Sequence, residues 1–346
     1  MTLQKAPTPR TAATTTVPVR SVVERLFRAR ELSLLVIIIA FIAVTTAVQP
    51  SYLLSAGGWR DLLRGPAMLV VVSIGEAIVI LTRNIDLSVG SILGLTTYLC
   101  GDLMHATSLP ILVIVLIGLA FGAALGLVNG LLVAFLDVPS LVITLGTQYA
   151  YRGIAVLWIG GNFIRPEWVP GSFKHFGLSQ ILTIPWLFVV GLVVMLVSGW
   201  FLSSRRGGRD LYALGSNPDA AVLYGLRTRQ LTLVPFMISG LLSGLGGIMY
   251  LSIFATGDSK VGIGYEFQAI AAAVVGGVAI TGGSGRVWGV ALGGFFLATL
   301  GTALPVLNVP SLWQQAIVGL LIVAAITLDR AFFIVRQRQA RKAVSE

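Results

Sequence analysis

Arg83, Asn84 and Asp86 interrupt an otherwise apolar stretch, Leu81-Thr82-Arg83-Asn84-Ile85-Asp86-Leu87-Ser88-Val89-Gly90. A charge near hydrocarbon must be paired, hydrated or placed at an interface. Asp86 followed by Leu87-Ser88 suits a helix start, because its carboxylate can accept from exposed backbone N–H groups and meets the positive end of the helix dipole. Two readings are open for this stretch: a capped interfacial turn, or a polar element beside a solute pathway. Glu76, Arg152 and Glu266 also fall within or at the edges of apolar runs. Isolated charges there cost about 2.5 to 3.5 kcal/mol on insertion scales, so these three are expected to pair with one another or to line the same pathway.

Enzyme chemistry has no comparable support. No serine nucleophile elbow, paired His/Asp set or metal-ligand cluster occurs, and His105 and His175 have no Cys or carboxylate at ligand spacing. None of Lys5, Lys174, Lys260 and Lys342 follows a glycine, so the chain lacks a phosphate-binding loop. It is expected to hold no cofactor or metal, and to draw energy from a partner or an ion gradient.

The elements that must position these charges are set by composition. Of 346 residues, 56% are hydrophobic and 11% charged, with a mean hydropathy of +0.90. Soluble domains run nearer a quarter charged, and residues 231–254, 267–281 and 287–328 contain no Asp, Glu, Lys or Arg. A helical crossing needs about 20 such residues. The pattern predicts an all-α, polytopic membrane protein with ten crossings, near 32–48, 65–82, 87–104, 109–136, 139–159, 181–202, 231–254, 266–281, 287–304 and 312–329. Residues 1–31 form a basic N-terminal tail expected to be partly disordered, 32–330 the membrane domain, and 331–346 a basic C-terminal tail.

The net charge of +10 is distributed between apolar blocks, which points to membrane orientation and not to nucleic acid. With the N-terminus inside, 18 basic residues fall in cytoplasmic segments and five outside, with Arg152 left within a span. That imbalance predicts both termini and the loop 203–230 in the cytoplasm, and residues 160–180 on the outer side. An echo at an offset of 199 matches Thr82, Gly90, Leu93 and Gly94 to Thr281, Gly289, Leu292 and Gly293. Paired glycine-interrupted segments are a way that transporters build a central pathway.

The run Asn84-Ile85-Asp86-Leu87-Ser88-Val89-Gly90-Ser91 strongly resembles the signature of ribose-type permeases of bacterial ABC importers, where a Gly-Ile-Asp-Leu-Ser-Val-Gly segment is typical. Asn84 replaces the common glycine, and Arg83-Asn84 looks more like the rhamnose and autoinducer-sugar branch. The resemblance continues through Leu145-Gly146-Thr147, Tyr151-Arg152-Gly153, Gly208 to Asn217 with Arg209, Tyr212 and Gly215, Ala269 to Gly277, and Gly282-Gly283-Ser284-Gly285. It covers about residues 65 to 330.

The resemblance implies an inner-membrane permease subunit that carries a monosaccharide or similar polyol delivered by a periplasmic binding protein. It implies a second permease copy or a related paralogue, and two cytoplasmic ATPase subunits that hold ATP and Mg²⁺. It also implies that the block around Asn217 is a coupling helix. The residues themselves support a short helix there: Asn217 is a cap, Pro218 suits the first turn, Ala220 and Ala221 allow close approach, and Gly225 is a stop. An ion-coupled carrier is the alternative. It would be expected to show buried acidic or histidine relays, whereas most acidic groups here lie at turns.

Overall fold

The computed structural model describes residues 30–136, 138–310, 313, 315–324 and 327. The two predicted tails therefore lie almost wholly outside the described residues. Long helices dominate: α1 (Arg30–Val48), α2 (Ser51–Leu54), α3 (Ala56–Leu81), α4 (Val89–Ala106), α5 (Ile111–Leu136), α6 (Ser140–Ile159), α7 (Gly171–Leu178), α8 (Trp186–Ser204), α9 (Arg206–Ser216), α10 (Pro218–Leu223), α11 (Thr228–Phe254), α12 (Tyr265–Val275) and α13 (Val287–Val306). Gln315–Ala324 forms a further short apolar helix. A hairpin of two-residue strands, β1 (Gln180–Ile181) and β2 (Ile184–Pro185), leads into α8.

Among the described residues six helices are long and apolar enough to cross a membrane: α1, α3, α5, α8, α11 and α13. Two more, α4 and α6, have crossing length but carry Asp102 and His105, and Gln148 and Arg152. The predicted crossing at 266–281 is corrected. It is an 11-residue helix, α12, about 16 Å long at 1.5 Å per residue, and it stops at Gly276-Gly277, where Gly277 takes φ +100°. The predicted start of the sixth crossing shifts from 181 to Trp186, because residues 180–185 form the hairpin.

α3 is the hub, almost wholly buried against α11, α12, α13 and α8. Its central residues Val71, Val72, Ile74, Val79 and Ile80 are wholly buried. In contrast, α5 packs tightly on α11 along one glycine seam, since a Cβ at Gly122, Gly126 or Gly240 would strike the facing backbone. Much of the remaining surface of α5 is exposed and apolar, including Leu112, Leu116 and Phe135. In lipid, small residues replace the hydrophobic effect as the means by which helices approach closely.

Candidate functional site

The turn after α3 is held from four sides. Its backbone N–H at Asp86 donates to Oε1 of Glu76 on α3 at 3.1 Å, and Ile85 N–H donates to Ser140 Oγ on α6 at 3.1 Å. Thr144 Oγ1, also on α6, donates to the Ile85 carbonyl at 3.1 Å. The wholly buried Asp86 carboxylate accepts from Ser88 N and Oγ (3.0 and 2.7 Å), from Ser239 Oγ on α11 (3.2 Å) and from Asn129 Nδ2 on α5 (3.4 Å). Asn129 Nδ2 also donates to Ser88 Oγ at 2.6 Å, and Tyr151 Oη donates to Asn129 Oδ1 at 3.3 Å. Asn84 folds back locally, donating to the Thr82 carbonyl and hydroxyl.

Asp86 is therefore no helix cap. The first helical residue of α4 is Val89, its cap position is Ser88, and no side chain bonds there. Asp86 lies two residues earlier in an Asx turn, where its short side chain reaches the N–H of Ser88, and its remaining valences tie together α5 and α11. Buried carboxylates persist when every neighbour donates to them. Among the described residues this one has four donors and lies beside Glu76, whose buried Oε2 meets no hydrogen-bond partner there.

A second polar group surrounds the start of α12. Glu266 Oε1 accepts from Gln148 Nε2 on α6 at 3.1 Å and from Gly264 N at 3.3 Å. Arg152 Nη1 donates to the carbonyls of Ser259 and Val261 at 3.0 and 2.6 Å. Gly90 and Gly94 let the 261–262 backbone lie directly on α4, since a Cβ at either would collide with it. The expected pairing of Glu76, Arg152 and Glu266 is thus corrected. Among the described residues the ion pairs are Arg64–Asp61 and Arg286–Glu31, both at 3.6 Å, and Arg152 is satisfied by carbonyls in the segment preceding α12.

The offset-199 echo has a spatial counterpart. Gly90 and Gly94 receive the backbone just before α12, while Gly289 and Gly293 on α13 receive its C-terminal end at Gly276 and Ala272. The short helix is clasped at both ends by equivalent glycines. At the same level Gly283 N–H donates to the Leu81 carbonyl at 3.0 Å, which joins the two echoed turns.

The third group links the first to α9 and α10. Arg83, with φ +64°, donates from Nε to Gly215 O and from Nη2 to Ser216 O. Tyr212 Oη donates to Gly285 O at 2.9 Å, and Arg209 Nη1 to Ser204 O at 3.1 Å. Asn217 caps α10, accepting from Ala220 N at 3.1 Å, with Pro218 in its first turn, and Gly225 ends the element at φ +74°. Ala221 faces inward and is buried, so it is not part of an outer surface. The exposed apolar residues are Val222, Leu223 and Tyr224, the last two 87% exposed.

Among these contacts, Asn129, Ser239, Ser140, Thr144 and Gln148 escape sequence reasoning. Asn129 had a signal: within Ile111–Leu136 it is the one residue with a strongly polar side chain. The serines and threonines had none, because hydroxyls commonly bond their own helix backbone.

Comparison with known proteins follows the same lines. Residues 61–326 match the family described as branched-chain amino acid transport system / permease component. The chain is 38% identical over 305 residues to the autoinducer 2 import system permease protein LsrC of Enterobacter sp. (strain 638), covering 88% of each chain. It is 36% identical to the LsrC proteins of Escherichia coli (strain K12 / DH10B), over 80% of each chain, and of Salmonella paratyphi B, over 90% of this chain and 89% of that one. No solved structure matches. A polytopic helical bundle, a buried signature turn and a match spanning most of the chain agree, and the protein belongs to this family of transport-system permease components.

Proposed function

We propose that this chain forms the translocation pathway of an ATP-driven importer for a small sugar-like solute of the autoinducer 2 type. One observation carries the reading: a polar turn, Ile85–Ser88, hydrogen-bonded to α3, α5, α6 and α11 and buried from Asp86 onward, lies among helices that are otherwise apolar, and Arg83 ties it to an element whose tip is exposed and apolar. Solutes rich in hydroxyls need polar groups within the bilayer, and such groups are held there only where function requires them. The family description names branched-chain amino acids, but the signature Asn84-Ile85-Asp86-Leu87-Ser88 and relatives named for autoinducer 2 import favour the sugar-like class.

In this reading Glu76, Asn84, Asp86, Ser88, Gly90, Arg152 and Glu266 shape the pathway around α12. The element 206–225, with Arg209, Tyr212, Gly215, Asn217, Pro218, Ala220, Ala221 and Gly225, seats against a cytoplasmic ATPase through Val222, Leu223 and Tyr224. A periplasmic binding protein delivers solute to the loop 160–180, and a second copy or a related permease completes the pathway. The chain itself hydrolyses no ATP. The test is uptake into proteoliposomes holding this chain with its ATPase and binding protein, comparing autoinducer 2, ribose, rhamnose and leucine. ATP-dependent uptake of autoinducer 2 or a pentose or deoxyhexose is expected. Uptake of leucine alone, or uptake that follows an ion gradient without ATP, would reject the reading.

A further inference from the structure

A groove runs along the outside of the bundle between α1, α8 and α13, away from the polar turn. Its inner part is a cavity of about 360 Å³ lined by apolar side chains, among them Ile38, Phe188, Leu192 and Phe295. Among the described residues none that lines it is titratable. A second cavity of about 500 Å³ meets the first at Met195 and Trp288, which line both, and ends on Ser203, Tyr212 and Arg286.

The two cavities together have the polarity profile of one lipid. Along α8 they extend from Phe188 to Ser203, about 22 Å at 1.5 Å per residue. One leaflet supplies about 15 Å of hydrocarbon, and the headgroup region lies beyond it. The order along the groove is wholly apolar, then Trp288 and Trp200, then cationic. Tryptophans favour the level of the headgroups, and here they are 52% and 56% exposed. The Arg205 guanidinium lies over the lining residue Trp200 at 4.3 Å from the ring centroid, and the side chain of Arg286, which lines the second cavity, is 75% exposed. Glu31, 3.6 Å from Arg286, is the opposing carboxylate.

We propose that this groove is a binding site for one anionic phospholipid, its acyl chain against Phe188–Met195 and its phosphate beside Arg286 and Arg205. Basic pockets between helices at a membrane surface select anionic headgroups. An ATPase would meet the chain outside the bilayer, whereas most of this groove lies alongside membrane-length helices. A second copy of the chain would not call for the change from apolar to cationic along a single groove. The site is independent of the identity of the transported solute.

The test is native mass spectrometry of the purified full chain, released from nanodiscs containing equal amounts of phosphatidylglycerol and phosphatidylcholine. Wild type is expected to retain phosphatidylglycerol in preference. Arg286→Ala should reduce that preference roughly fivefold, the weight of one interfacial arginine, and Arg286→Lys should largely keep it. Leu196→Trp, which fills the groove, should reduce retention of both lipids, and Glu31→Gln should raise the phosphatidylglycerol preference. Millimolar inorganic phosphate should leave the retained lipid in place. Equal retention of the two lipids by wild type, an unchanged preference in Arg286→Ala, or displacement by phosphate would overturn the proposal. So would disulfide cross-linking of Leu196→Cys between two copies in native membranes, which would assign the groove to a protein interface.

Discussion

Arg83 donates from Nε to the carbonyl oxygen of Gly215 at 2.5 Å and from Nη2 to that of Ser216 at 2.7 Å. These two carbonyls lie at the C-terminal end of α9, where unpaired acceptors and the negative end of the dipole favour a cation. Gly215 has no room for a side chain, because a Cβ there would collide with the Leu81 carbonyl and with Gly283 N. Three residues beyond Arg83 lies Asp86. One side chain and one close backbone contact thus join α9 to the segment that carries the buried turn.

Replacing Arg83 tests that connection. Arg83→Ala should lower uptake at least tenfold at matched membrane levels, on the scale of about 1.5 to 3 kcal/mol for a hydrogen bond from a charged group, while the ATPase still copurifies. Arg83→Lys should recover only part of the loss, since a lysine cannot present the same planar fork to two carbonyls. Wild-type uptake by Arg83→Ala would show that the connection carries nothing.

At Asp86 the expected defect is larger and structural as well as functional. Asp86→Ala leaves Ser88 and Ser239 as buried donors without their acceptor, at about 1 to 3 kcal/mol each, while Asn129 keeps its 2.6 Å bond to Ser88 Oγ. Thermal unfolding in detergent should shift down by several degrees and uptake should be lost. Ser239→Ala, which removes one donor, should shift it far less. Equal stability of all three proteins would contradict the network.

Leu223→Glu should abolish copurification of the ATPase without impairing insertion, because Leu223 is 87% exposed beyond the end of α9. Ala221→Glu should instead destabilise the element itself, since it forces a carboxylate into a site 3% exposed. Limited proteolysis at residues 205–227 separates the two: accelerated cleavage is expected for Ala221→Glu alone. Intact assembly of Leu223→Glu would remove α10 from the proposed interface.

The glycine seam between α5 and α11 predicts a contrast in tolerance. A Cβ at Gly240 would meet the Gly122 carbonyl oxygen and lie 2.7 Å from the Gly126 Cα, so Gly240→Val should separate the helices at a cost of about 3 kcal/mol or more. Gly146 has nothing within 4 Å of such an atom. Gly146→Ala should leave the monomer as stable as wild type, or slightly more so through helix propensity. Monodispersity after size-exclusion chromatography is the measurement.

Several features of this protein follow from the sequence alone. The helical membrane class comes from long uncharged runs such as 287–328, because hydrocarbon excludes both charge and unpaired backbone. The start and stop of α10 are equally local: Asn217, Pro218 and Gly225 act within one or two turns of helix. Tertiary structure decided what those elements do to one another. Asp86 has the sequence of a cap, yet its partners Asn129 and Ser239 lie 43 and 153 residues away, a separation that no local pattern encodes. Likewise α12 reads as part of a full crossing because residues 267–281 are uncharged, but hydropathy records only the absence of charge. Where that helix ends is set by glycine geometry at Gly276-Gly277 and by the facing glycines of α4 and α13, and those contacts exist only once the bundle is packed.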